Sequence, residues 1–194
     1  MRRIAATLAV VVLLFSAESA WADYDDDVAA YVHGDYTTAF QEFLPLAEQG
    51  DAKAQFNLGF MYDNGKGVPE NDAEAAKWHR KAAEQGDVMA QYSLGGMYFR
   101  GEGVSQNFTE AVKWFRKAAE QGDAYAQVNL GFMYGTGEGV PMNYVKAYMW
   151  YSLAKAQGNE DAAKGLYIIE KEMNTDQIAK AQKLAAEIGE KINN

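Results

Sequence analysis

Apolar positions along this chain recur at helical spacing. Ala54, Leu58, Met61 and Tyr62 fall at i, i+4, i+7 and i+8, on one face of an α-helix. Gly65-Lys66-Gly67-Val68-Pro69 then breaks the pattern, because glycine admits positive φ and proline cannot continue a helix. A second helix resumes with Ala75, Trp78 and Ala82 on one face, and Gly86 follows as a left-handed stop. Asn71, with Glu74 three residues on, predicts an N-cap with a capping-box partner, and Asn107 with Glu110 repeats it. Asn143 is followed instead by Lys146, so the reciprocal bond is expected to be missing there.

The pattern is periodic. Asp51, Asp87 and Asp123 open matching segments 36 residues apart, and the first two segments agree at 22 of 36 positions. Asp35 to Gly50 matches the second half of a unit, and Asn159 to Glu172 matches the first half. A helix from about Thr175 onward carries Ile178, Ala181, Ala185, Ile188 and Ile192 on one side, with Lys180, Lys183, Glu187 and Glu190 elsewhere. One apolar and one polar face suit a helix that ends a stack in water. The predicted organisation is an acidic segment and half repeat (23–50), repeats at 51–86, 87–122 and 123–158, and capping helices over 159–194. A two-helix unit cannot bury its apolar stripe alone, so the units must stack into an all-α solenoid.

Leu58-Gly59, Tyr62, Gly65, Gly67, Val68, Ala75, Trp78, Ala82 and Gly86 form a signature that returns as Leu94-Gly95, Tyr98, Gly101, Gly103, Ala111, Trp114 and as Leu130-Gly131, Tyr134, Gly137, Gly139, Ala147, Trp150. This signature resembles the Sel-one-like repeat, a relative of the tetratricopeptide repeat. The resemblance implies a right-handed superhelix of antiparallel helix pairs that serves as a platform for protein–protein contacts.

The first residues carry a different signal. Arg2-Arg3, the mostly apolar run Ile4 to Ala17 and Ala20-Trp21-Ala22 are the three parts of a secretory signal peptide (1–22), with cleavage expected after Ala22. The apolar run is shorter than a membrane span needs, and Glu18 interrupts its end. A periplasmic or secreted mature chain without membrane insertion is the expectation.

Composition narrows the chemistry. Net charge is −9, which disfavours nucleic-acid binding and anionic lipid. The chain has no cysteine and two histidines, so thiol catalysis, thiolate zinc sites and multi-histidine metal centres are excluded. Gly-x-Gly-Val is no phosphate loop, since it lacks a preceding strand and a Lys-Ser/Thr pair. Ser152-Leu153-Ala154-Lys155 matches the nucleophile pattern of penicillin-interactive enzymes, without their other elements. An EF-hand loop starting at Asp23 would need glycine at Val28 and glutamate at Gly34. Asn107-Phe108-Thr109 is a formal sequon whose asparagine is already explained as a cap. Trp78, Trp114, Trp150, Tyr62, Tyr98 and Tyr134 recur in phase and are expected in the core.

No catalytic, cofactor or metal set emerges, so the reading is an exported, non-catalytic scaffold for a protein or peptide partner, expected to be a monomer. The alternative is a cell-envelope enzyme or a β-lactam or cell-wall-interacting protein of the same repeat family. In tetratricopeptide-like stacks the first helix of each unit lines the concave side, and the resemblance implies the same here. That register places Lys53, Phe56, Phe60 and Asp63 of the first unit on this surface. Met89, Tyr92 and Phe99 follow from the second, and Tyr125, Val128 and Phe132 from the third. Such aromatic and methionine positions suit an interface. The competing expectation is packing between adjacent first helices, above all for Phe56, Tyr92 and Val128.

Overall fold

The protein is seen here as a computed structural model that describes residues 30–193. The signal peptide expected at 1–22 and the acidic run at 23–27 lie outside the described residues. After a helical end at 30–32 come α1 (Tyr36–Glu48), α2 (Ala52–Asp63), α3 (Asp72–Glu84), α4 (Val88–Arg100) and α5 (Phe108–Glu120). Then follow α6 (Ala124–Thr136), α7 (Tyr144–Ala156), α8 (Glu160–Glu170) and α9 (Thr175–Asn193). No strand occurs among the described residues. From α1 to α8 each helix packs on the next, α6 also touches α8, and α9 folds back past α8 to lie against α7.

The joints between units are chemically explicit. The amides of Gly86 and Asp87 donate to the carbonyls of Ala83 and Ala82, both at 3.1 Å, with Gly86 at φ 101°. This pairing of the last carbonyls with the residues beyond the helix makes a Schellman stop. Asp87 then caps the next helix, its Oδ1 accepting the Ala90 amide at 2.7 Å, and Asp51 and Asp123 do the same for Ala54 and Ala126. A helix therefore ends and the next begins within Gln85-Gly86-Asp87.

The asparagine caps form too, since Asn71, Asn107 and Asn143 accept the amides three residues on at 3.0–3.1 Å. Their reciprocal capping-box bonds do not form. The asparagine amides donate instead to the carbonyls of Tyr62, Tyr98 and Tyr134, at 2.7–3.0 Å. Glu74 turns to Lys77 at 2.5 Å and Glu110 to Lys113 at 3.3 Å. Lys146 consequently removes nothing from the third unit.

The core repeats with the sequence. Leu58, Leu94, Leu130, Met61 and Met133 are fully buried, and so are Ala75, Ala111, Ala147, Ala82, Ala118 and Ala154. Trp78, Trp114 and Trp150 are buried as expected. The tyrosines differ, because Tyr134 is buried whereas Tyr62 and Tyr98 are only half-buried. The hydroxyls of Tyr134 and Tyr98 each accept from an arginine of the preceding helix, Arg116 Nη2 at 2.8 Å and Arg80 Nη2.

Two glycines per unit are spatial requirements. A Cβ at Gly59, Gly95 or Gly131 would lie 2.6–2.7 Å from the ring of His79, Phe115 or Tyr151, respectively. Gly67 and Gly103, both at positive φ, lie so close to the main chain at Tyr36 and Asp72 that a Cβ would overlap the carbonyl, and Gly139 meets Phe108 likewise. The Gly-x-Gly-Val turn thus also seats each unit on the unit before it.

A polar ladder threads this apolar stack. Buried Gln55, Gln91 and Gln127 donate through Nε2 to the carbonyls of Ala47, Ala83 and Ala119, at 2.9–3.1 Å. Their Oε1 atoms accept from Nε2 of Gln85, Gln121 and Gln157, at 2.8–3.0 Å. Burying an amide is favourable only when its groups are paired, and here a glutamine of the following helix supplies the partner.

Candidate interaction face

The side chains that α2, α4 and α6 do not bury against their paired helices point to one face of the stack. Phe60 is 39% exposed, Met89 52%, Tyr125 64% and Phe132 40%. Lys53 is also exposed. The remaining positions of the sequence-derived set are half-buried. Phe56 packs on the core around Ala82, Leu94 and Trp114 and lies 5.5 Å from the His79 ring. Tyr92 packs on Phe115, with ring centroids 5.8 Å apart, and Val128 packs on the core that contains Leu130. Phe99 meets Phe108 edge-on at 5.3 Å.

These rings are joined across helices. Tyr92 and Tyr125 are 6.1 Å apart, and Phe99 meets Phe132 edge-on at 6.3 Å, which ties α4 to α6. Phe60 meets Tyr31 edge-on at 6.3 Å. The result is an aromatic surface with buried roots and exposed edges. Tyr92 is held in this seam, and burial, followed by the charge of Asp123, pushes its hydroxyl above the ordinary value.

Asp63 is placed by a contact that repeat logic overlooks. Its Oδ2 lies 2.9 Å from Nε2 of His79, which is fully buried, while His79 Nδ1 has no partner. Position 79 is where the next units carry Phe115 and Tyr151.

The sequence reading also missed two features of the face. Ile168 of α8 stands 36 residues after Phe132 and is 62% exposed, which extends the apolar row past the third unit. Gly96 occupies the register of Phe60 and Phe132, so the row has a gap in the middle. A hollow of about 170 Å³ lies there, lined by Tyr92, Ser93, Gly96, Phe99, Arg100 and Asn129 among others. The constant 36-residue offset was the signal for both.

A larger hollow of about 650 Å³ is lined by residues of both α7 and α9, and Ser152 lies on its wall. Lys155, the other end of the Ser-x-x-Lys pattern, is exposed in the last turn of α7. Among the described residues no cluster of histidine, aspartate and glutamate is placed to hold a metal ion, and no helix is long and apolar enough to cross a membrane.

Solved structures share this architecture. A protective antigen of uropathogenic Escherichia coli strains with an SLR fold superposes with a TM-score of 0.74 at 37% identity, over 80% of this chain and 33% of the antigen. A Sel1 repeat protein from Oxalobacter formigenes gives 0.72 at 33% identity, over 86% of this chain and 69% of that one. Helicobacter pylori cysteine rich protein B shares the fold at 0.53 and 23% identity. Among curated proteins, chitin synthase regulator SKT5 of Saccharomyces cerevisiae is 48% identical over 48 residues, and DAP3-binding cell death enhancer 1 of Rattus norvegicus is 43% identical over 42. Those matches span only 7% and 8% of the two relatives. The Sel1 repeat profile itself matches residues 52–87, 88–123 and 124–159, one residue later than the boundaries read from the sequence. With more than half of its length in these three matches, the chain belongs to the Sel1 repeat family, whose fold is a right-handed α-solenoid.

Proposed function

We propose that this protein is an exported, non-catalytic scaffold that holds a protein or peptide partner on the concave face formed by its first helices. The observation that carries this reading is that Phe60, Met89, Tyr125 and Phe132, half of the exposed large apolar side chains among the described residues, all stand on the first helices of the three units. Large apolar groups gathered on one face, with aromatic members rooted in a rigid core, are what binding hot spots are made of. The names of two relatives, a chitin synthase regulator and a DAP3-binding protein, also point to work done through other proteins.

The test is the pair Phe60→Ala and Phe132→Ala, with stability and partner capture from an envelope extract both measured. A folded double variant that loses capture supports the face. Unchanged capture in a folded double variant overturns it, and a large loss of stability would assign the rings to the core. Turnover of a cell-wall substrate by the purified protein would overturn the non-catalytic reading. Export is tested by mass spectrometry of the native protein, which should begin at Asp23; an intact Met1 in the cytoplasm would remove that part.

A further inference from the structure

We infer that the gap at Gly96 is a recognition notch for one acidic side chain, a glutamate or aspartate carried by an extended, otherwise apolar segment of the partner. The inference rests on the interaction face proposed above and assigns its specificity. Phe60, Gly96 and Phe132 share one register on α2, α4 and α6, so two exposed rings flank a position with no side chain. The space left is about 170 Å³, of the order of one side chain. A cation stands over it: Nη1 and Nη2 of Arg100 lie 2.9 and 3.4 Å from where a Cβ of Gly96 would be.

Arg100 is set up for this task by its neighbours. Its Nε donates to Glu102 Oε2 at 2.6 Å, which fixes the plane of the guanidinium. Among the described residues no hydrogen bond engages its two terminal nitrogens. A planar fork with free N–H groups matches a carboxylate in bidentate fashion. Asp63 also lines the notch, but its Oδ2 is taken by His79. Neutral groups complete the wall at Ser93, Tyr92 and Asn129. Arg100 is the one basic residue lining the notch, with the carboxylates of Glu102 and Asp63 already beside it in a chain that carries −9. It suits a single carboxylate between apolar neighbours, whereas a run of acids would be repelled.

The experiment pans the full mature protein against a random peptide library displayed on phage. The enriched sequence is then made as an acetylated, amidated peptide and as a copy with its acid changed to the amide. Affinities are read by fluorescence anisotropy for the wild type, Arg100→Gln, Gly96→Phe and the Phe60→Ala/Phe132→Ala pair, with folding checked by circular dichroism. Enriched peptides should carry one acid between apolar residues. Arg100→Gln, or the amide copy, should weaken binding about tenfold, and the two together should do no more than either alone. Gly96→Phe, which restores the residue of the neighbouring units, should weaken it at least as much.

Enrichment of peptides without an acid, or an Arg100→Gln variant that binds as well as wild type, overturns the carboxylate notch. If the paired phenylalanine variant still loses binding in that case, the face itself stands. No enrichment, or binding indifferent to all of these variants, overturns both.

Discussion

His79 Nε2 and Asp63 Oδ2 lie 2.9 Å apart, a polar pair at a position where the next two units bury the rings of Phe115 and Tyr151. The histidine fills the same ring slot against Gly59, with Nδ1 unsatisfied. His79→Phe should therefore fold with stability unchanged within about 1 kcal/mol, because a buried polar group with one orphan nitrogen is exchanged for a ring of similar size. Asp63→Ala should cost about 1–3 kcal/mol, since it strands the second imidazole nitrogen as well. Urea denaturation of both variants checks this, and the reverse ranking would refute the ring-slot argument.

Trp114 is 3% exposed in the central unit, and its Nε1 has no hydrogen-bond partner. Its contribution is packing rather than hydrogen bonding. Trp114→Ala is expected to lower stability by about 3–5 kcal/mol. A loss under about 1 kcal/mol in chemical denaturation would mean that the ring is not core.

Neighbouring glycines on α4 should respond with opposite signs. A Cβ at Gly95 would meet Phe115 Cδ1 at 2.7 Å, inside the core. A Cβ at Gly96 meets only the far end of the Arg100 side chain, which has open solvent to shift into. Gly95→Ala should cost about 1–3 kcal/mol by overpacking, whereas Gly96→Ala should gain about 0.5–1 kcal/mol from the lost backbone freedom of the unfolded chain. Thermal melts of the two variants side by side decide it.

The glutamine ladder should behave as a paired network. Gln91→Leu leaves the Ala83 carbonyl without its side-chain donor and takes the acceptor from Gln121, so a loss of about 1–3 kcal/mol is expected. If Gln91→Leu is as stable as wild type in urea, the ladder contributes register at most.

Alkaline pH should loosen the stack. Burial raises the Tyr151 hydroxyl above its ordinary 10.0, and burial together with Asp123 raises Tyr92. The folded chain holds these protons more tightly than the unfolded one, so their stabilisation is complete below about pH 10 and is lost as pH climbs through the folded values. The urea midpoint should fall above about pH 10. Tyr151→Phe, which keeps the ring and removes the titrating group, should flatten that fall.

Much of this architecture was legible because each unit states it again. Helix positions, caps, tryptophans and the joint glycines recur in phase, so one unit checks another. The sequence showed less where a residue serves one unit alone. His79 reads as an isolated histidine until Asp63 is seen beside it, and Gly96 reads as one more glycine until it is set against Phe60 and Phe132. The capping boxes failed for another reason: the asparagine amides were already bonded to a tyrosine carbonyl of the preceding helix, a contact outside the local pattern. The face was half legible, since alternation alone does not separate the rooted Phe56, Tyr92 and Val128 from the outward Phe60 and Phe132.

The seat of Gly67, Gly103 and Gly139 is main chain, and the residues beneath are a tyrosine, an aspartate and a phenylalanine. The joint does not read side chains. If residues 87–122 were excised, Gly139 would arrive over Asp72 as Gly103 does now, and Gln127 would find the carbonyl of Ala83 in place of Ala119. Length is thus a free variable of this molecule: it lengthens or shortens by whole modules at unchanged joints, and the reach of the proposed face changes in the same steps.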